Sequence, residues 1–170
     1  DGGAAMALSV THISAATASL TWALWKKIKY GSASLVGLVT GIIAGLASIT
    51  PDSGSVGLVE ALIILAVAGI LCQEAVNFVR NIFSIDYKLN VFAVHGVAGI
   101  FGTVMVALFG QGSWTAQLGG LVIVRVFTLI VTFIMIKLVG MLFPLRVDAE
   151  TESNGLDLSM HGERAYELNS

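Results

Sequence analysis

The sequence predicts an all-α fold, a polytopic transmembrane helical bundle, and three observations carry that prediction. Of 170 residues, 56% are hydrophobic and only 12% are charged, against roughly a quarter charged in ordinary soluble domains. The apolar residues fall into five long runs separated by short charged or turn-forming segments, and mean hydropathy is +0.88. One run, Asn90 to Phe109, carries a single ionisable side chain, His95. A titratable group inside an apolar span is expensive to keep and marks a substrate, ion or proton pathway. Ala93, Gly96, Gly99 and Gly102 recur every third residue around it. Such a small-residue stripe lets another helix come close.

In chain order, the first span covers residues 3–25. Trp22 and Trp25, followed by Lys26, Lys27, Lys29 and Tyr30, read as an interfacial aromatic and basic edge. His12 lies among Ser and Thr residues on this span. It is read as a hydrogen-bonded packing residue between helices, with a conduction role as the alternative. The second span, 34–50, sits at the ~17-residue lower limit for crossing a bilayer. Its Gly37, Gly41 and Gly45 form a face on which a neighbouring backbone can pack closely. Pro51-Asp52-Ser53-Gly54 breaks that helix and turns the chain. The third span, 56–79, has Glu60 at its start and Glu74, Asn77 and Arg80 at its end, where charges read as interfacial caps.

Asn90 is placed to cap the fourth span, 90–109, because its side chain can accept from a free first-turn amide. The fifth span, 115–143, would be on the order of 43 Å long at 1.5 Å per residue. It is therefore expected to tilt or to extend beyond the hydrocarbon, and Pro144 closes it. Arg125 inside this span is expected to face a polar partner or neighbouring subunit, or to snorkel; Lys137 is expected to snorkel. Residues 1–147 thus read as a membrane domain and 148–170 as a soluble tail, which holds six of the eleven acids.

Loop charge gives an orientation. With five spans the two ends lie on opposite sides, and Lys26, Lys27, Lys29, Arg80, Lys88, Arg146 and Arg164 all fall on the C-terminal side. The loops at 50–56 and 110–114 contain no Lys or Arg. By the positive-inside rule the C-terminus is expected to be cytoplasmic. The sole cysteine, Cys72, allows no intrachain disulfide. No nucleophile–base pair, metal-ligand spacing or phosphate-binding loop stands out, so neither an enzyme nor a cofactor is expected. The acidic tail and apolar surface exclude nucleic-acid binding. The chain opens at Asp1 in an already apolar context and reads as part of a longer protein.

In this order and spacing the residues resemble the ammonium transporter (Amt/Mep/Rh) family. Thr40 to Pro51 (TGIIAGLASITP) is similar to its SGxxAGLxxITP segment, and Ala61-Leu62-Ile63-Ile64 to its ALIIG run. Val91 to Ile100 (VFAVHGVAGI) resembles VFGVHGVGGI. Gly155-Leu156-Asp157, His161-Gly162-Glu163 and Ala165-Tyr166 resemble GLDxxxHGExAY. The resemblance implies the second half of an eleven-helix inverted-repeat fold, a homotrimer in the cell membrane, and ammonium/ammonia as substrate. It implies that His95 is one of two touching pore histidines, with Val91 on the same face as a lumen wall. Gly155, Leu156, Asp157, His161, Gly162, Glu163 and Tyr166 are implied to couple subunits or dock a PII-type signalling protein. An Rh-like gas channel and an ammonium sensor signalling through the tail are the alternatives. The sequence departs from the pattern at Asn90 (usually Asp), Ala93 (usually Gly), His12, Arg125 and the short loop at 110–114.

Overall fold

The computed structural model describes residues 1–83, 90–109 and 112–163, and among these the ordered elements are all helical. Helix α1 runs Gly2–Tyr30, α2 Leu35–Ile49 and α3 Leu58–Phe83. A π-helical turn, Phe92–Gly96, leads into α4, Val97–Leu108. Helix α5, Trp114–Leu142, is followed by the short α6, Ala149–Asn154, and a second π-helical turn, Asp157–His161. Gly2–Tyr30, Leu58–Ile82 and Trp114–Leu142 are long and apolar enough to cross a membrane. Leu35–Ile49 and Phe92–Leu108 are shorter apolar helices. A chain of such helices is a multi-pass membrane protein.

Residues 1–123 form one compact unit and 124–170 another. The core lies in the first, where α1 packs on α2 and α3. On α1, Val10, Ser14, Ala18 and Trp22 are buried, one residue per turn. They meet the glycines of α2, spaced the same way. A Cβ at Gly45 would stand 2.5 Å from the Ser14 carbonyl oxygen, and one at Gly41 would stand 2.8 Å from Ser19 Cα. Gly37 lies under the Trp22 indole. These helices touch backbone to backbone, which gives van der Waals contact and lets polar side chains bond across. Ser19 Oγ donates to the Leu38 carbonyl at 2.9 Å. Gly69 of α3 makes an equally close approach to Thr21 and the Ala18 carbonyl.

Two expectations change here. Trp22 is only 4% exposed; the glycine slot on α2 admits its ring, so it is a core residue rather than part of an interfacial edge. The α1 hydroxyls mostly satisfy themselves: Ser9, Thr11, Ser14 and Thr21 donate to carbonyls one turn back in their own helix. They therefore do not partner His12, which is exposed and meets no hydrogen-bond partner among the described residues.

At the α1/α3 end opposite Asp1, the expected caps form a network. Trp25 Nε1 donates to Glu74 at 2.7 Å, Lys29 Nζ pairs with the same carboxylate at 2.7 Å, and Asn77 Nδ2 donates to Tyr30 Oη at 3.1 Å. The turn joining α2 to α3 is built on Asp52. Its N–H donates to the Ile49 carbonyl at 2.8 Å, and its own carbonyl accepts from Ser55 N at 2.8 Å and Val56 N at 3.1 Å.

In the second unit, Asp148 caps α6 by accepting from Thr151 N at 2.8 Å, and those bonds hold its carboxyl below the usual carboxylate range. Arg146 pairs with Glu152 at 2.8 Å. No residue of α5 is buried. Arg125 is exposed, and Lys137 Nζ lies 5.7 Å from the Phe133 ring centroid.

Candidate functional site

The site is built on the Phe92–Gly96 turn. Here the backbone bonds span one residue more than in an α-helix, a feature that recurs at functional positions. Asn90 enters it at φ 53°, left-handed, a conformation that Asn tolerates better than most residues. Its side-chain oxygen accepts from Arg80 Nε at 3.1 Å, and no side chain caps the turn. The expected N-cap is therefore replaced by a tie between the end of α3 and the start of the site.

Ala93, Val94 and Ala98 are buried against α1–α3. This fixes the rotation of the segment and sends Val91, Phe92 and His95 to the opposite, exposed face. Val91 is 52% exposed. Among the described residues no hydrogen-bond partner meets the His95 ring, and a neutral imidazole can donate from one ring nitrogen and accept at the other. Gly99, one turn on, has nothing within 4 Å of where a Cβ would stand. The same open face continues there. Gly96 meets only the Phe92 ring, at 3.0 Å.

Gly102 behaves differently from its neighbours in the stripe. A Cβ there would overlap the Ser48 carbonyl oxygen and stand 3.2 Å from Pro51 Cδ. The close approach of α4 to α2 is thus made at Gly102, while Gly99 faces away. A three-residue repeat drifts around a helix of 3.6 residues per turn, so the stripe cannot share one face over its whole length.

An open groove of about 670 Å³ lies elsewhere, lined by Lys29, Tyr30, Glu74, Asn77, Phe78 and Asn81 among others. None of its lining residues belongs to α4.

In the second unit the tail motif forms one compact turn. Gly155 ends α6 at φ 92° and Gly162 ends the π-helical turn at φ 68°, conformations that favour glycine. Glu163 N donates to the Asp157 carbonyl at 3.1 Å, closing the turn across His161. Leu156 is 47% exposed. Tyr166 lies outside the described residues, as do Arg164 and Lys88 of the loop-charge argument. Sequence reading missed two features, the Asp52 hub and the Glu74 network. The pairing of a basic edge after α1 with an acid near the end of α3 was a signal for the second.

Comparison with known proteins follows from this geometry. Residues 1–166 match the model of the Ammonium Transporter Family. Ammonium transporter Amt1 of Archaeoglobus fulgidus is 38% identical over 190 residues, which cover 98% of this chain and 48% of that protein. Among solved structures, the Mep2 mutant delta442 of Candida albicans aligns over 79% of this chain and 39% of its own, at TM-score 0.72 and 32% identity. A sensor Amt protein aligns over 94% of this chain and 42% of its own, at TM-score 0.83 and 27% identity. The chain spans about half the length of the curated relatives it matches. With a family match across nearly all its residues and the same helical fold in solved relatives, this chain belongs to the ammonium transporter family.

Proposed function

We propose that this chain is the second half of an ammonium transporter subunit and that His95 lines its conduit as one side of a proton relay. The observation that carries the reading is the position of His95, on the face of the Phe92–Gly96 turn that the half-bundle leaves open. Ammonium stripped of water in an apolar channel is costly by several kcal/mol or more, whereas neutral ammonia passes readily. An apolar wall such as Val91 therefore selects ammonia against metal cations of similar size, and a neighbouring imidazole pair handles the proton left behind. The mate of His95 comes from the other half of the subunit.

The remaining assignments rest on family membership and loop charge. The subunit sits in the cell membrane as a homotrimer with its C-terminus cytoplasmic, where a PII-type signalling protein meets the turn formed by Gly155–Glu163. A second reading, an ammonium sensor, is favoured by the alignment with a sensor Amt protein; its output would leave through the same tail.

The test is flux through the full-length protein in liposomes. Ammonium and methylammonium are expected to enter well above protein-free vesicles, with potassium and sodium excluded. Flux at the protein-free level rejects transport and leaves the sensor reading; equal passage of potassium rejects the apolar conduit.

A further inference from the structure

The turn between α2 and α3 holds a group for which the conduit has no use. Asp52 is fully buried, and among the described residues neither carboxylate oxygen has a hydrogen-bond partner. Ser48 Oγ, one helical turn earlier, is also buried and unpartnered. Ile49 and Val56, on either side of the turn, belong to a core cluster that includes Val10 of α1 and Ala61 and Ile64 of α3, with Phe101 and Met105 of α4 packed against it.

Among the described residues no counter-charge pairs with it. The titratable groups toward this end are Asp1 and His12 on α1 and Glu60 on α3; α4 carries none. Burial alone, with no contribution from those charges, pushes the Asp52 carboxyl up to about 6. An ionised carboxylate left without donors or a cation in an apolar core is strongly disfavoured, and such a group holds a proton instead. The same residue is the hub of its turn, bonding to Ile49, Ser55 and Val56 through its backbone. Pro51 and Ser48, its neighbours, are the seat on which Gly102 of α4 rests.

We propose that Asp52 is a proton-binding site that latches the α2–α3 turn: protonated, it stays in the core and the turn is closed; ionised, it draws water in and the turn opens. The sign follows from the raised carboxyl. The closed state holds its proton up to about pH 6, whereas an exposed aspartate loses it near pH 3.9. Closure is therefore most stable at acid pH and weakens as pH rises through 6. For that pair of values the linkage relation makes opening about tenfold more frequent at pH 8 than at pH 5.

Two measurements on the full-length protein in liposomes test this. Infrared difference spectra between pH 5 and pH 8 should contain the carbonyl stretch of a protonated carboxylic acid in apolar surroundings, and Asp52→Asn and Asp52→Ala should both lack it. Amide exchange at Ser55 and Val56, corrected for the intrinsic pH dependence of exchange, should speed up about tenfold over the same range in the parent and stay flat in both variants. The proposal is overturned if the band is missing from the parent, if it persists without Asp52, or if exchange in the turn is indifferent to pH. Using two variants separates loss of the proton from loss of packing, since alanine removes the buried polar group altogether.

Discussion

Replacing His95 by alanine in the full-length protein is expected to change which species crosses. Its ring stands on the open face of the Phe92–Gly96 turn with Val91 and Phe92, and nothing in the described residues holds it there by hydrogen bonding. In an apolar conduit the loss of one hydrogen-bonding partner costs about 1–3 kcal/mol, or about five- to 140-fold in rate at 1.4 kcal/mol per decade. Ammonium flux at low concentration should fall by that factor, because the species that needs the relay is slowed. His95→Asp places a fixed acid in the same position, so the cation itself is admitted and charge should accompany each transported nitrogen. The measurement is radiolabelled uptake alongside membrane current in the same liposomes. Unaltered rate and unaltered charge per substrate in both variants would remove His95 from the pathway without touching the family assignment.

Much of the helical architecture was legible because the hydrophobic runs are long, and within a bilayer the backbone has few alternatives to a helix. The α1–α2 contact was half legible. The spacing of Gly37, Gly41 and Gly45 announces a close approach, but only the structure identifies the partner as Ser14, Ala18 and Trp22. Trp22 illustrates the limit. A tryptophan beside lysines reads as an interface residue on frequency, and the glycine slot that admits it lies on another helix. The α4 stripe was legible in part: residues three apart rotate off a common face, and of its glycines Gly102 is the one that meets α2 among the described residues. The π-helical turn left no sequence signature, and it sets which way His95 points. Asp52 was read as a turn former, which it is. Its burial arises from tertiary packing around the turn, and no local pattern encodes that.

The second large effect falls on packing, and it separates two glycines on the same helix. Gly102→Ala should destabilise the protein by about 3 kcal/mol or more, at the upper end of the range for overpacked sites, because the added methyl overlaps a backbone carbonyl. Ser48 O cannot rotate away as a flexible side chain would; α2 and α4 must separate, and Pro51 Cδ at 3.2 Å resists the move from the other side. Gly99→Ala, three residues earlier, meets nothing within 4 Å among the described residues, so any cost it carries in the full-length protein comes from the other half of the subunit. Thermal unfolding of the purified full-length Gly102 variant should therefore show a clear loss that this half-bundle alone accounts for. Gly102→Ser, adding a side chain of similar girth, should fail as alanine does, which distinguishes a volume effect from a loss of apolar character. An unchanged unfolding temperature for Gly102→Ala would mean that α4 is not seated on the α2 turn as described. The orientation of His95, which depends on that seat, would then have to be set by the other half of the subunit.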